Sequence, residues 1–316
     1  MYFGYIVGIG AGLASALLFY SAARGAPLIG TLLVLLTPLP SVLAGLGWGW
    51  LPAALGALAG SALMAAVASV PFALGYFLAL GAPVVLAAYL AYLSRPHPHD
   101  ANLREWYPAG RLVAAISLYG GALPIMVLPL IGGGYEALRA PMAEFLRRLS
   151  ARAAPELGMP RLADAQIDAL AELFVFVLPG ALAAYWVGIF VLNLYLAGRV
   201  ARLSGRLGRD WPDLPSLAFP QGFSLVLALA LVATFVPGTV GAAGVSLSGA
   251  LLVAYFFAGL ALMHFIARTR ARWILWVVYA GVILVEPYTA ILLMLGGLLE
   301  PVLKLKQRFG TPPPST

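Results

Sequence analysis

The few charged residues of this chain are confined to short intervals, and long apolar stretches separate them. Only 10% of the 316 residues are Asp, Glu, Lys or Arg, whereas 62% are hydrophobic. A helix needs about 20 apolar residues to cross a bilayer, and most of these stretches reach that length. The pattern predicts an all-α, polytopic integral membrane protein, a single-domain bundle (1–316) of about eight or nine transmembrane helices.

Nine spans follow from the hydropathy pattern. Their approximate bounds are 3–23, 27–46, 50–70, 72–93, 112–131, 173–196, 221–237, 245–266 and 273–299. Met1 to Ala23 has no charged leader and no cleavage site, so we expect it to stay as the first span. The second contains Thr37-Pro38-Leu39-Pro40, and since proline removes backbone donors, we expect a break there. The ninth, interrupted at Glu286-Pro287, is either one kinked span or two half-spans.

Arginine placement predicts the orientation. Three connectors carry most of the arginines outside 132–172, at about 95–111, 199–209 and 268–272. Two spans separate neighbouring connectors, so all three lie on one side, which the positive-inside rule makes cytoplasmic. The net charge of +7 then reflects topology, and we expect no nucleic-acid partner. The basic carboxyl tail also favours the cytoplasm, which agrees better with two half-spans in 273–299.

The interval 132–172 is predicted to be an extracytoplasmic amphipathic helical insertion. Its first helix, about Glu136 to Ala153, has an apolar face that lies on the membrane or caps the bundle. That face consists of Tyr135, Leu138, Met142, Phe145, Leu146 and Leu149. The second helix starts near Ala163 and carries Asp164, Asp168 and Glu172 at four-residue spacing. These acids are predicted to form a solvated face rather than a cation site, because the helix dipole also favours acids there.

Small residues recur at every fourth position of the first span, at Gly4, Gly8, Gly12 and Ala16. Such a stripe lets another helix backbone approach closely. The partner is either another span of this chain or a different membrane protein. The third span carries a second set of small residues, Gly49, Ala53, Gly56 and Gly60, to which the same alternatives apply.

Polar side chains inside the spans are the candidates for ligand binding, because a polar group at membrane depth is costly and is usually paired or functional. They are Glu286, Tyr279, Tyr288, Tyr255, Asn193 and His264, with Tyr119 and Tyr185 as further tyrosines. Each also has a structural interpretation: Glu286 at a hydrated turn, His264 and the tyrosines as interfacial anchors, and Asn193 as an interhelical donor.

Catalytic and metal-binding signatures are not found. The chain has no cysteine, which excludes disulfides and thiolate sites. His97-Pro98-His99-Asp100 is read as an unstructured loop rather than a metal site. No phosphate-binding glycine loop, metalloprotease motif or nucleophile elbow occurs. We therefore expect no enzyme activity, no cofactor and no metal, and any active transport would need a separate energising subunit or an ion gradient.

Several short motifs carry a resemblance to a known family. They are Leu178-Pro179-Gly180, Asn193-Leu194-Tyr195-Leu196-Ala197, Leu217-Ala218-Phe219-Pro220, Gly259-Leu260-Ala261 with His264, and Leu295-Gly296-Gly297-Leu298-Leu299-Glu300 before a basic tail. With them, nearly the whole chain resembles the YybS-like bacterial membrane proteins of unknown function. That family is similar to the S components of energy-coupling-factor transporters. The resemblance implies an S-component-like core, and docking of a coupling subunit on Gly8, Gly12 and Ala16.

Two functions are expected from these features. The first is a small-molecule-binding transporter component of the bacterial cytoplasmic (inner) membrane, without an ATPase of its own. It would hold a polar cavity walled by Glu286 and tyrosines. The second is a non-transporting scaffold that packs with other membrane proteins through the small-residue stripe of the first span. It would have a filled interior and an exposed stripe.

The orientation can be tested by single-cysteine labelling, since the native chain offers no competing thiol. Ala101→Cys, Gly205→Cys and Ala271→Cys lie in the three arginine-bearing connectors and should react with a membrane-impermeant maleimide from the same side. Ser150→Cys, in the interval 132–172, is the control and should react from the opposite side. Labelling of the three connectors from different sides would contradict the predicted topology.

Overall fold

The computed structural model describes residues 2–309, apart from 23, 25, 98, 99, 133, 134, 157, 159 and 286. Its helices are α1 (Tyr2–Ala22), α2 (Pro27–Leu36), α3 (Leu39–Trp48), α4 (Trp50–Val67), α5 (Val70–Tyr76), α6 (Ala82–Tyr92), α7 (Ala109–Val127), α8 (Arg139–Glu156), α9 (Asp164–Leu203), α10 (Phe223–Ala233), α11 (Thr239–Thr269), α12 (Trp273–Leu284), α13 (Tyr288–Leu303) and α14 (Leu305–Phe309). A π-helix (Phe77–Gly81) joins α5 to α6, and a hairpin of β1 (Ser94–His97) and β2 (Asp100–Trp106) joins α6 to α7. Short 3-10 turns cover Leu128–Ile131, Tyr135–Leu138 and Leu214–Ser216.

Seven helices among the described residues are long and apolar enough to cross a membrane. They are Tyr2–Ala22, Leu28–Trp48, Trp50–Val67, Val70–Tyr92, Ala109–Leu130, Asp164–Leu203 and Thr239–Arg268. Each corresponds to one predicted span. The all-α class is therefore confirmed, and the architecture is that of a multi-pass membrane protein.

The other two predicted spans correspond to shorter helices. Within 221–237 the helix is α10, of 11 residues, and 273–299 is divided into α12 and α13. Gly281 of α12 and Thr289 of α13 lie close together, and a Cβ on Gly281 would lie 2.8 Å from the Thr289 hydroxyl oxygen. The segment therefore consists of two short apolar helices, which is compatible with both alternatives.

The centre of the bundle is formed by α7, α9 and α11, which pack against one another. Ser246 of α11 donates a hydrogen bond to the Gly121 carbonyl of α7 at 2.7 Å. The backbones of Gly180 in α9 and Gly249 in α11 are in direct contact, leaving no room for a Cβ on Gly249. Close backbone approach at small residues is the usual way in which membrane helices gain packing energy.

The two predicted small-residue stripes pack against each other. Gly8 of α1 lies against Pro52 of α4, and Gly12 lies against Gly56 one turn further along both helices, so α1 and α4 run parallel. Gly4, Gly8, Gly12 and Ala16 are all buried. The partner of the first stripe is thus a span of this chain, which was one of the two alternatives. This face is not free for a coupling subunit or another membrane protein.

The predicted break in the second span is present, since α2 ends at Leu36 and α3 begins at Leu39. The Thr37 hydroxyl donates to the Leu33 carbonyl at 2.7 Å. Ser41, in the first turn of α3, bonds to Ser15 of α1 with 2.8 Å between the hydroxyl oxygens. The first turn of α3, just after the break, is therefore hydrogen-bonded to α1.

The polar interval after α6 is more ordered than predicted. It forms the β1–β2 hairpin, in which Arg95 pairs with Glu105 and Pro96 with Arg104. Arg95 Nε lies 2.7 Å from Glu105 Oε2, and this hydrogen bond lowers the pKa of Glu105. Paired backbone and cross-strand charges stabilise such a ribbon where composition alone suggests a loop. Part of the His97-Pro98-His99-Asp100 segment lies outside the described residues.

The insertion 132–172 contains α8 and the first part of α9, which continues without interruption into the sixth predicted span. At 1.5 Å per residue the 40 residues of α9 extend about 60 Å, twice the hydrocarbon thickness. Arg147 of α8 lies 3.4 Å from Asp164 and 3.5 Å from Asp168, and Arg139 lies 2.7 Å from Glu172. The three acids are exposed, as predicted, and they form ion pairs with arginines of α8.

Arg209 connects two of the arginine-bearing connectors. Its guanidinium donates to the Ala91 carbonyl at 2.7 Å and to the Tyr107 carbonyl at 3.2 Å, on either side of the hairpin. Its Cζ lies 5.6 Å from the ring centroid of Trp106. Burial lowers the pKa of the Arg209 guanidinium, which nevertheless stays protonated because the reference pKa of arginine is so high.

The third connector and the carboxyl-terminal helix meet the same region. Arg268 Nη1 lies 3.1 Å from Asp213 Oδ2, and Lys306 of α14 donates to the Leu217 carbonyl at 2.9 Å. Burial lowers the pKa of the Lys306 ammonium group. The three arginine-bearing connectors and α14 thus gather at one end of the bundle, which we call the arginine end.

The α1–α4 contact makes a prediction about stability. Gly12→Val should lower the free energy of unfolding by about 1–3 kcal/mol, because the new side chain would overlap the Gly56 backbone. Gly10→Val is the matched control, since a Cβ on Gly10 meets no atom within 4 Å. Thermal unfolding of the purified variants in one detergent measures the difference. Equal midpoints for the two would show that α1 and α4 do not approach through these glycines.

Candidate functional site

The structure separates most of the six residues predicted to bind a ligand. Tyr255 lies in the core, with its ring centroid 5.3 Å from Phe219 and 5.7 Å from Phe223. Tyr288 is 69% exposed on the surface of α13. Glu286 lies outside the described residues. The described residues therefore do not form the predicted wall of tyrosines.

His264 and Tyr279 are the two predicted residues that do meet. The Tyr279 hydroxyl oxygen lies 3.2 Å from His264 Nε2, and His264 Nδ1 lies 2.9 Å from the Leu260 carbonyl. A neutral imidazole with its proton on Nδ1 satisfies both contacts. With Arg209 and Asp213 they border a cavity of about 240 Å³ at the arginine end. That volume is below the range of about 300–1,000 Å³ typical of small-molecule sites.

Asn193 makes the predicted interhelical hydrogen bond. Its side-chain amide, which is fully buried, donates to the Leu35 carbonyl of α2 at 2.7 Å and to the Ile189 carbonyl of its own helix at 2.8 Å. Leu35 is two residues before the break at Thr37. The asparagine therefore links α9 to the broken end of α2, and its role is in packing rather than in a pocket.

A larger cavity lies next to this link, at the break between α2 and α3. It has a volume of about 630 Å³, inside the usual range for small-molecule sites. Six aromatic side chains line it, and we call it the aromatic cavity: Phe19, Phe72, Tyr76, Tyr185, Trp186 and Phe190. Its lining includes Ser69 and Pro71, in the turn after α4. Because α4 begins next to Arg206, this turn and the cavity belong to the end opposite the arginine end.

Irregular helix segments form much of the cavity wall. Thr37 and Pro38 from the break between α2 and α3, Pro124 inside α7, and Ala79 and Leu80 of the π-helix all line it. Proline and π-turns widen the space between helices by interrupting the regular hydrogen-bond ladder. In membrane proteins, broken helices of this kind are tolerated where they border a protein-lined cavity.

Two aromatic side chains satisfy carbonyls of the π-helix. Tyr119 of α7 donates to the Leu78 carbonyl at 2.6 Å, and Trp186 of α9 donates to the Ala79 carbonyl at 2.8 Å. The rings of Tyr119 and Trp186 are 5.8 Å apart, and Trp186 stacks on Phe190 at 5.0 Å. These contacts fix the indole as one wall of the cavity.

The sequence offered only part of this site. Tyr185 was a candidate and lines the cavity, while Tyr119 was a candidate and supports its wall from behind. Trp186, Phe190 and Phe72 were missed because aromatic residues in apolar spans resemble ordinary core residues. The prolines at 38, 71 and 124 were the available signal, since all of them line the same cavity.

Comparison with known proteins gives no relative: no family model matches the chain, and no curated protein and no solved structure matches it. A search of the described residues finds no group of three or more His, Asp or Glu side chains that could hold a metal ion.

The Asn193 link makes a second prediction about stability. Asn193→Leu should lower the free energy of unfolding by about 1–2 kcal/mol, because the Leu35 carbonyl loses a donor that lipid cannot replace. Leu196→Ala, on the lipid-facing side of the same helix, is the control and should have a smaller effect. Unfolding in mixed micelles of increasing SDS content, followed by circular dichroism, measures both. A larger effect for the control would contradict the role of Asn193.

Proposed function

We propose that this protein is a small-molecule-binding component of the bacterial cytoplasmic (inner) membrane, with the aromatic cavity as its binding site. The observation that carries the proposal is the cavity itself: a space of about 630 Å³ walled by six aromatic rings and by interrupted helices. Cavities of this size with mostly apolar, aromatic walls are the usual form of small-molecule sites.

The proposed orientation follows from the arginines. If the arginine end is cytoplasmic, in accordance with the positive-inside rule, the aromatic cavity lies in the outer half of the membrane. A component that takes up its ligand from the external side or the outer leaflet fits this placement. The proposed resemblance to YybS-like proteins and to S components agrees with such a role, as does transport that depends on a separate coupling subunit.

An enzyme is not proposed. Among the described residues that line the aromatic cavity, none is Asp, Glu, Lys, Arg or His, so no acid–base pair faces a bound molecule. The scaffold alternative lacks its predicted surface, because Gly4, Gly8, Gly12 and Ala16 are all buried, with Gly4 against Trp48 of α3 and Gly8 and Gly12 against α4. A coupling subunit would have to bind another face of the bundle.

The proposal is tested by filling the cavity. Gly75 lines it, and a Cβ there meets no atom within 4 Å, so Gly75→Phe places a ring in open space without displacing the backbone. The amount of small molecule that co-purifies with the protein should fall by about tenfold or more. A loss of about 1.4 kcal/mol of binding free energy already lowers the affinity tenfold. Mass spectrometry of the extracts measures this.

Gly10→Phe is the matched control, because Gly10 is equally open but lies on the outer face of α1. It should retain whatever the native protein carries. If native protein and both variants yield the same extract, the aromatic cavity is not the binding site.

A further inference from the structure

The aromatic cavity has few polar side chains, and three of them bond to the protein's own backbone. The Thr37 hydroxyl already donates to Leu33, and Trp186 Nε1 already donates to Ala79. The Ser69 hydroxyl accepts from the backbone N–H of Phe72 at 3.3 Å, at the start of α5. Apart from these three groups, the polar side chains of the described lining are the tyrosines Tyr76 and Tyr185.

Because no charged side chain is in the described lining, a charged ligand would lose its hydration in the cavity with no countercharge and only two tyrosine hydroxyls in exchange. Burying an unpaired polar group costs several kcal/mol, and burying an unpaired charge costs far more. A hydrocarbon ligand loses nothing of this kind, and it gains dispersion contacts with the aromatic rings. The lining thus selects for a ligand that is uncharged where it enters the cavity.

The cavity is also open at a side that belongs to lipid-facing helices. Phe72, Leu182 and Tyr185 all line it, yet they are 42%, 50% and 52% exposed. On α9, Tyr185 continues an exposed apolar stripe that begins with Phe174 and Val177, at helical spacing. A molecule in the outer leaflet can follow this stripe to the cavity without crossing water.

We infer that the aromatic cavity holds the hydrocarbon tail of a membrane lipid, which enters sideways from the bilayer. This inference rests on the proposed function and names its ligand class. A polar headgroup stays outside, at the level of the exposed turn after α4, where Ser69 and Pro71 form the rim.

The experiment uses the full-length protein in nanodiscs that contain phosphatidylcholine with a diazirine at the end of one acyl chain. After irradiation, mass spectrometry locates the labelled residues. Tyr76 and Leu123 line the cavity but are only 4% and 7% exposed, so a lipid on the outer surface should label them poorly. We expect strong labelling of both, in addition to exposed residues such as Leu225 and Leu229 of α10.

Gly75→Phe should reduce labelling of Tyr76 and Leu123 by about tenfold, and labelling of Leu225 and Leu229 should not change. Gly10→Phe should behave as the native protein. Label confined to exposed residues in the native protein would overturn the inference, and this readout does not depend on the folding of any variant.

The two proposals can fail separately. If the acyl probe does not enter but the native protein carries a polar small molecule that Gly75→Phe removes, the inference is wrong and the binding function stands. If Gly75→Phe changes neither the labelling by the probe nor the amount of any extracted molecule, both proposals are wrong.

Discussion

Within a bilayer, a backbone carbonyl that loses its helical partner has no water to replace it, and the rest of this structure depends on how that requirement is met. The chain interrupts its helices at Thr37-Pro38 and at the π-helix, and side chains from distant spans supply donors close to the interruptions. Asn193 reaches Leu35, Tyr119 reaches Leu78 and Trp186 reaches Ala79. Without its donor, each of these carbonyls would be left unpaired at a cost of about 1–3 kcal/mol. The same contacts hold the helices around an open space.

Close backbone contact supplies the cohesion that the hydrophobic effect cannot provide between helices in lipid. The α1–α4 pair brings Gly12 against Gly56, and the α9–α11 pair brings Gly180 against Gly249. Both pairs are dense and fixed. One helix of each pair lines the aromatic cavity: α1 contributes Phe19, and α9 contributes Trp186 and Phe190.

Much of the fold could be predicted from the sequence, because span length, proline breaks and small-residue stripes are local properties. The break after Leu36 and the interhelical bond of Asn193 followed from single residues that are out of place in an apolar helix. The site could not be predicted in this way. Its wall depends on the hydrogen bond from Trp186 to the Ala79 carbonyl, 107 residues away in the chain. It also depends on a π-helix, which no local sequence pattern predicts. Residues selected for polarity alone, such as Tyr255 and Tyr288, lie in the core or on the surface. The hairpin was missed because cross-strand pairing between Arg95 and Glu105 is not visible in composition.

The most direct test of the account is an experimental structure in lipid nanodiscs, determined by electron cryo-microscopy at a resolution that shows side chains. We predict an interrupted helix at Phe77–Gly81, an indole of Trp186 directed at the Ala79 carbonyl, and elongated density between the rings of Phe72, Tyr76 and Phe190. A continuous α-helix through Phe77–Gly81, with α5, α7 and α9 in contact and no space between them, would contradict it.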